Sequence, residues 1–591
     1  MAEKLTNEQQ AAVDSRERSL LVSAAAGSGK TKVLVERLFS YVEREGANLD
    51  DFLIITYTRA AASELRGKIA KALTERMERD PGNYHLRQQM LRVYRADIKT
   101  VDAFCTALLR ENCHLLGEDA RGHALRPDFR VLDENEAQVL RERVLARTLD
   151  DFYDCLTTGS TLLADTLGAG RDDSALEDLV LELHAKLQAQ PYEDKWLEAQ
   201  RAFWRAVPDK IENTPYGKIL LNEVRRKARH CKNLLQRAAQ EMCANDALNQ
   251  KYAPAFLDAS YQLEALEGKT AEGWDAARGV TIAFPRLAAV KDSDGGEMKA
   301  RMKSLWDNCK ETVKGFAEIF SASSDEAVED LRTMAPAMLA LIDLTADFSR
   351  RYNEEKRRRN SADFSDQEHE AIRLLIGEDG APTELARIVS ARYREIMVDE
   401  YQDTNEVQNR IFDAISCKGE NLFTVGDVKQ SIYRFRLADP RIFLQHYNTW
   451  PPLEDAEEHD SAKLLLSRNF RSRKEVLDAT NFIFCNILSE EMGELDYGAD
   501  EMLRLGANYV ESSACGAEFH LLDLPTQTGE QRVRASEAEA AFVADYISDM
   551  LTSEFPIQDD KTKELRPVRE EDIVILMRSP STRLLDYRRA L

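Results

Sequence analysis

The chain has 591 residues, of which 43% are hydrophobic and 31% charged, and its formal net charge is −24. This length predicts about four domains or subdomains, each with enough apolar residues for a core, and excludes a disordered chain. No apolar run approaches the roughly 20 residues that cross a bilayer, the N-terminus is polar and the nine cysteines are scattered, so we expect a cytoplasmic protein without membrane contact, disulfides or structural metal.

The first hundred residues alternate short apolar runs with helical patterns, which is typical of an α/β unit. Residues 20–22 and 52–56 are predicted strands, and residues 30–41 form an amphipathic helix between them. The same pattern returns at residues 395–398 and 422–425. We therefore expect one α/β domain assembled from residues 1–115 and 361–450.

A long, charged and mostly helical segment separates these two blocks, and residues 116–360 are predicted to form a helical insertion. A capping-box pattern of Ser365 and Glu368 predicts the start of the helix that follows it. The acidic segment 454–460, preceded by two prolines, is typical of an interdomain linker. Beyond it, residues 464–466, 519–522 and 573–577 are predicted strands of a second, partial α/β domain spanning residues 451–591.

A phosphate-binding loop is predicted between the first strand and the first long helix. It reads Ser23, Ala24, Ala25, Ala26, Gly27, Ser28, Gly29, Lys30 and Thr31. Glycines let the backbone N–H groups approach phosphate oxygens at a helix N-terminus, Lys30 would neutralise the terminal phosphates, and the Thr31 hydroxyl would bind Mg²⁺. Ala24 stands where the Walker A pattern has its first glycine, and the alternative is a strand-to-helix turn without a ligand.

Two adjacent carboxylates, Asp399 and Glu400, follow an apolar predicted strand. In this arrangement the first carboxylate holds Mg²⁺ and the second orients or deprotonates the attacking water. An isolated Asp-Glu pair is usually surface charge, but its place after a buried strand and downstream of a phosphate-binding loop favours nucleotide hydrolysis.

With DEYQDTN at residues 399–405, the chain resembles the UvrD/Rep-like superfamily 1 helicases, and five further motifs occur in that family's order. They are LTNEQ (5–9), TYTRAAA (56–62), TVDAFC (100–105), VGDVKQSIYRFR (425–436) and SRNFRS (467–472). The large insertion, the TVDAFC motif and the ADFSD stretch at residues 362–366 most resemble the AddA branch of bacterial AddAB helicase–nucleases.

The resemblance implies an α/β fold: a RecA-like P-loop motor domain with a large helical insertion, followed by the start of a second RecA-like domain. It also implies roles for four residues around ATP. Gln9 would recognise the adenine edge, and Phe470 would stack on the adenine ring. Gln430 would sense the terminal phosphate, and Arg471 would donate hydrogen bonds to it.

Five residues are implied in binding DNA: Tyr57, Arg59, Tyr433, Phe435 and Arg436. Aromatic faces stack on unpaired bases and arginines bind phosphates, a combination that favours single-stranded DNA without sequence preference. The alternative is that Tyr433 and Phe435 belong to the core. Asp102 occupies a position that is His in the UvrD branch, and a carboxylate there is poorly suited to holding a phosphate.

The implied activity is that of an ATP- and Mg²⁺-dependent 3′-to-5′ DNA helicase motor in double-strand-break repair by recombination. The implied partners are single-stranded DNA, duplex DNA ends and an AddB-type subunit. No recognisable fifth or sixth helicase motif precedes Leu591, so we expect a fragment that binds ATP, hydrolyses it poorly and lacks the nuclease region.

Two alternatives remain open at this point. The first is a non-catalytic, ATP-gated scaffold for DNA or a partner subunit, and the second is a P-loop ATPase that acts on protein.

Overall fold

A computed structural model describes residues 5–118, 121–167, 174–416, 419–510, 516–524, 534–559 and 562–591, without the side chains of residues 292–295, 436 and 491. The strands in these residues are β1 (Leu20–Ala24), β2 (Phe52–Thr56), β3 (Asp97–Thr100), β4 (Arg130–Val131), β5 (Ser361–Ala362), β6 (Glu395–Val398), β7 (Leu422–Gly426), β8 (Ala462–Leu466), β9 (Arg468–Asn469), β10 (Arg504–Leu505), β11 (Pro556–Gln558) and β12 (Leu565–Pro567).

The helices of the described residues are α1 (Asn7–Asp14), α2 (Lys30–Arg44), α3 (Arg59–Arg79), α4 (Tyr84–Arg92), α5 (Val101–Asn112), α6 (Glu134–Asp154), α7 (Thr158–Leu167), α8 (Ser174–Gln188), α9 (Glu193–Arg205), α10 (Pro215–Met242), α11 (Asp246–Lys251), α12 (Ala253–Lys269), α13 (Trp274–Arg278), α14 (Asp292–Ile319), α15 (Ser324–Arg358), α16 (Phe364–Leu375), α17 (Glu384–Arg392), α18 (Glu406–Ile415), α19 (Pro440–Thr449), α20 (Lys474–Ile487), α21 (Glu490–Gly493), α22 (Ala535–Thr552) and α23 (Pro580–Ala590). Within the described residues, none of these helices is both long and apolar enough to span a membrane.

The chain divides into two compact units. One comprises residues 1–118, 124–131 and 362–591, and the other comprises residues 119–123 and 132–361. The second unit is helical, with one core formed mainly by α10, α12 and α14 and another formed mainly by α6, α8 and α15. The domain boundaries drawn from the sequence stay predictions.

A parallel six-stranded sheet organises the first unit, in the order β3-β2-β6-β7-β1-β8. Every residue of β1, β2, β6 and β7 is buried, which explains their continuous apolar sequences, because helices cover both faces of such a sheet. The predicted α/β class is confirmed. Parallel strands end at one common edge of the sheet, so the loops after β1, β6, β7 and β8 are brought together there.

Two of the three strands predicted beyond residue 451 are wrong, and the third belongs to a different sheet than expected. Strand β8 contains residues 464–466, but it pairs with β1 and extends the main sheet. Residues 519–522 and 573–577 form no strand. Their alternating apolar side chains include Phe519 and Leu576, each 90% exposed. An alternating pattern indicates a strand, but a strand forms only where a neighbouring strand pairs with it.

Candidate functional site

The loop after β1 turns sharply into α2. Gly27 and Gly29 adopt left-handed backbone conformations with φ of 68° and 85°, which glycine adopts without a steric penalty. Gly29 is the N-cap of α2, so Lys30 and Thr31 lie in the first helical turn, whose backbone N–H groups are suited to binding an anion. Ala24 is still part of β1 and pairs with Leu466, so the turn does not require glycine at that position.

Three hydrogen bonds from outside the loop fix its carbonyl groups. The Gln9 side chain donates to the carbonyl of Ser28 at 2.8 Å. The Asn469 side chain donates to Ala26 at 2.7 Å, and the backbone N–H of Phe470 donates to Gly27 at 2.8 Å. These carbonyl oxygens would repel a phosphate, so donors that hold them in place favour an anion-binding conformation of the loop.

The two adjacent carboxylates follow β6 and lie beside the loop. Glu400 has a left-handed backbone with φ of 54°, and its Oε2 accepts a hydrogen bond from Lys30 Nζ at 2.7 Å. Burial and the neighbouring charge of Glu400 raise the pKa of Asp399 to about 6. Burial and the same charge also raise the pKa of Asp403 to about 6. This corner therefore concentrates more negative charge than its protein cations neutralise.

A cavity of about 540 Å³ opens at this edge of the sheet, within the size range of small-molecule sites. Its wall is formed by residues from the loop, α2, α3 and three later segments: Ala26, Gly27, Ser28, Gly29, Lys30, Thr31, Lys32, Val35, Glu36, Lys68, Ala72, Glu400, Gln430 and Arg471. Lys30 and Arg471, which are 441 positions apart in the sequence, line the same cavity. Its four basic and two acidic side chains favour a polyanion.

Five of the predicted nucleotide-binding residues do not line the cavity. Ser23 and Ala24 are buried in β1, and the Ala25 N–H donates to Leu466. Gln9 is 3% exposed and reaches the cavity only through its bond to Ser28. The ring of Phe470 lies against Gly506, where a Cβ would come within 2.8 Å of it.

The predicted DNA-binding residues occupy different environments. Phe435 is 76% exposed, and its ring centroid lies 5.8 Å from that of Tyr433. Tyr57 is half-buried, and its hydroxyl is hydrogen-bonded to Thr404. Arg59 is exposed at the start of α3. The side chain of Arg436 lies outside the described part of the structure.

Comparison with known families identifies this arrangement. The UvrD/REP helicase N-terminal domain family matches residues 5–451, more than half of the chain. The chain belongs to the UvrD/REP helicase family. The matched residues include strands β1, β2, β3, β6 and β7, the loop after β1, and the Asp399 and Glu400 pair.

Similar proteins within the UvrD/REP helicases are each named as the A subunit of an ATP-dependent helicase/nuclease. The protein from Ruminiclostridium cellulolyticum is 34% identical, with 98% of this chain and 49% of the relative aligned. Those from Alkaliphilus oremlandii and Listeria innocua are 35% and 33% identical, each with 97% of this chain and 47% of the relative aligned. The chain thus spans about half the length of these relatives.

The sequence patterns missed three residues that organise this UvrD/REP helicase site. Asn469 holds the loop, Lys68 lines the cavity, and Gln402 hydrogen-bonds Glu400. Asn469 and Gln402 lie inside recognised motifs. Their position in these motifs was the only sequence signal that could have indicated a role in the site. Lys68 carried no signal, because only the packing of α3 brings it to the cavity.

The predicted capping box of Ser365 and Glu368 is wrong. The N-cap of α16 is Asp363, and its reciprocal partner is Asp366. Glu368 therefore has no capping role. It is buried on α16, and Oε1 accepts a hydrogen bond from Gln408 at 2.7 Å.

Proposed function

We propose that this chain is the motor portion of an ATP-dependent 3′-to-5′ DNA helicase of the AddA type, acting with an AddB-type partner in double-strand-break repair. One observation carries the motor assignment: Lys30, Glu400, Gln430 and Arg471, which come from four separate motifs, line a single cavity. The direction, pathway, partner and cytoplasmic location rest on the family resemblance and on the names of the relatives.

The chemistry of the cavity supports the binding of ATP. Backbone N–H groups at the start of α2 would bind the phosphate chain, with Lys30 and Arg471 supplying cationic donors. Lys30 would then exchange its bond with Glu400 for one with a phosphate oxygen, because a polyanion competes strongly for the same ammonium group. This exchange would release Glu400 only when nucleotide is present.

The residues present also fit Mg²⁺. Asp399 is a buried carboxylate with a pKa raised to about 6 by burial and by Glu400, and a divalent cation would supply the missing positive charge. Thr31 offers a hydroxyl oxygen on the cavity wall, and oxygen ligands suit this ion. When bound, Mg²⁺ would neutralise phosphate charge.

Hydrolysis would be carried out by residues that line the cavity beside the loop. Glu400 would orient the attacking water and accept its proton as the water oxygen bonds to the terminal phosphorus and the bond to the ADP oxygen breaks. Gln430 would contact the terminal phosphate, and Arg471 would stabilise the charge that develops on it. A charge-stabilising arginine of this kind contributes about 10³ to 10⁵ in rate.

Single-stranded DNA is the proposed track. Exposed Phe435 and the adjacent Tyr433 offer faces for base stacking, each stack contributing about 1 to 3 kcal/mol. Opening and closing of the ATP cavity would move the strand along these aromatic side chains.

Replacing Lys30 with Ala in the full-length gene product tests the proposal. We expect the Lys30→Ala variant to lose ATP-dependent unwinding and to keep most of its affinity for single-stranded DNA, because Lys30 lies on the ATP cavity. Lys186→Ala is a useful control, since this lysine forms an exposed pair with Glu182 at 2.8 Å and does not line the cavity. Intact unwinding by Lys30→Ala would refute the motor assignment and favour the scaffold alternative.

A further inference from the structure

Gln402 has a buried side-chain amide that connects the segment after β6 with the segment after β7. It is 2% exposed. Its Nε2 donates to Glu400 Oε2 at 2.9 Å, and its Oε1 accepts the backbone N–H of Asp427 at 2.9 Å. A buried amide needs partners for both ends, and here one partner follows β6 while the other follows β7.

The segment after β7 continues this chain of hydrogen bonds towards the cavity. Asp427 is 1% exposed, and its Oδ2 accepts a hydrogen bond from Gln430 Nε2 at 2.6 Å. The Ser431 hydroxyl donates to the backbone carbonyl of Gln402 at 3.4 Å. Glu400 and Gln430 are thus connected through Gln402 and Asp427.

The end of β7 leaves the Gln402 side chain little freedom to move. A Cβ added at Gly426 would lie 2.4 Å from Gln402 Oε1 and 3.1 Å from the ring of Phe443. Only glycine allows this close approach. The amide therefore has a fixed orientation with its donor group directed at Glu400.

The segment 399–405 after β6, which contains Gln402, also contacts both segments that carry the proposed DNA-binding aromatic residues. The Thr404 hydroxyl is hydrogen-bonded to the hydroxyl of Tyr57, and the Thr404 carbonyl accepts the N–H of Asp439 at 3.0 Å. Tyr433 lies between Gln430 and Asp439 in the sequence. A change in the 431–439 segment can therefore reach Glu400 through Gln402.

We propose that Gln402 is a positioning residue that transmits DNA binding at the 431–439 segment to Glu400, and so sets the stimulation of ATP hydrolysis by DNA. The inference rests on the proposed function. Lys30 and Gln402 both donate to the same oxygen of Glu400. When Lys30 moves to the nucleotide, the bond from Gln402 remains to hold the carboxylate in place.

Two substitutions in the full-length gene product test whether Gln402 couples DNA binding to ATP hydrolysis or only stabilises the fold. Gln402→Glu keeps an acceptor for Asp427 but replaces the donor with a carboxylate, and Gln402→Leu removes both groups. ATP turnover is measured with and without single-stranded oligodeoxythymidylate. We expect DNA-stimulated kcat to fall about 100-fold, the effect of a misplaced catalytic group, while KM for ATP changes less than about threefold. The ratio of stimulated to basal turnover falls towards one.

Matched controls identify a purely structural effect. Gln89 is also fully buried, with Oε1 accepting the Leu49 N–H at 2.9 Å and Nε2 donating to Asn48 at 3.1 Å. Gln89→Leu therefore removes an equivalent pair of bonds at a residue that does not line the cavity, and we expect it to lower stimulated and basal turnover in proportion. Gly426→Ala displaces the Gln402 side chain without replacing it, so it should also lower the stimulation by DNA. Gly67→Ala is its control, because a Cβ at Gly67 meets no atom within 4 Å, and it should leave the stimulation unchanged.

The outcomes distinguish this inference from the proposed function. A stimulation ratio in Gln402→Glu and Gln402→Leu equal to that of the unsubstituted protein would overturn the coupling role and leave the ATPase assignment intact. Absence of ATP turnover in the unsubstituted protein would overturn the proposed function and the coupling role with it.

Discussion

Strand β6 begins with Glu395 and is followed directly by Asp399 and Glu400, and the charge is balanced differently at its two ends. At the start, Glu395 is 2% exposed and forms two hydrogen bonds with the Arg37 guanidinium, one of them 2.8 Å long. The Tyr41 hydroxyl donates to the same carboxylate at 3.0 Å. At the other end, Asp399 and Glu400 share their corner with one close cation, Lys30.

The pKa values record this difference. Burial alone would lower the pKa of Arg37, but the charge of Glu395 raises it. Burial and the charge of Glu400 instead raise the pKa of Asp399 to about 6. The charge at the first end is neutralised within the protein, whereas the charge at the second end is only partly balanced by Lys30. A buried charge left incompletely balanced in a cleft is typical of a functional site.

Removing Arg37 should produce the largest loss of stability. Arg37→Leu leaves Glu395 buried without its guanidinium partner, which costs about 3 to 5 kcal/mol. The free energy of unfolding in urea measures this. Arg44→Leu, on the same helix but in an exposed pair with Asp14, should cost less than about 1 kcal/mol. Equal losses in the two variants would contradict the distinction between the ends of β6.

Glu368 extends the comparison to a second carboxylate that is poorly neutralised. Burial, followed by the charge of Asp102, raises the pKa of Glu368 from 4.5 to about 7. The folded protein binds this proton more tightly than the unfolded chain. Protonation of Glu368 therefore stabilises the folded protein fully below pH 4.5, and this stabilisation is lost as the pH rises to 7. The linked free energy is about 3 kcal/mol.

Glu368→Gln should remove this pH dependence. The unsubstituted protein loses this stabilisation as the pH rises and the variant does not. The free energy of unfolding of the variant minus that of the unsubstituted protein should therefore increase by about 3 kcal/mol from pH 4.5 to 7.5. His369 is adjacent in sequence, and its charge opposes the shift, so urea unfolding is compared at several pH values. Glu384→Gln, on an exposed face of α17, serves as the control. Parallel pH profiles for Glu368→Gln and the unsubstituted protein would contradict the assignment.

Asp399→Asn should have the smallest effect on stability, and the effect should have the opposite sign to that of Arg37→Leu. Removing a poorly neutralised charge stabilises the protein in the absence of nucleotide and divalent cations by about 1 kcal/mol, less than the full linkage energy because replacing a buried side chain usually has a destabilising component of its own. Thermal unfolding with a chelator present measures it.

Asp97→Asn provides the contrast for this variant. Burial alone would raise the pKa of Asp97, but hydrogen bonds from Lys99 and Tyr393 lower it, so its loss should destabilise the protein. If both substitutions destabilised the protein, the charge of Asp399 would be balanced within the protein like that of Asp97, which would contradict the expected difference.

The sequence predicted the parts of the molecule in which local pattern and tertiary structure agree. Strands β1, β2, β6 and β7 are buried on both faces and therefore read as short apolar runs. The phosphate-binding loop has glycines at the two positions with left-handed backbone. Both signals depend on residues close together in the chain.

The predictions that failed depend on contacts between distant residues. The apolar residues at 464–466 indicated a strand but not its partner, and pairing with β1 could not be read from them. Ser365 matched a capping pattern that Asp363 provides two residues earlier. The bond from Asn469 to Ala26 joins segments 443 positions apart, so no local pattern could have indicated it.

We expect nucleotide to replace Glu400 as the partner of Lys30 in the cavity that Arg471 also lines. A crystal structure of the full-length protein with Mg²⁺ and a non-hydrolysable ATP analogue would show this exchange. In it, Lys30 Nζ should lie within hydrogen-bonding distance of a phosphate oxygen, Arg471 should contact the terminal phosphate, and Glu400 should no longer be bonded to Lys30. An analogue bound elsewhere, with the Lys30–Glu400 pair intact, would contradict it.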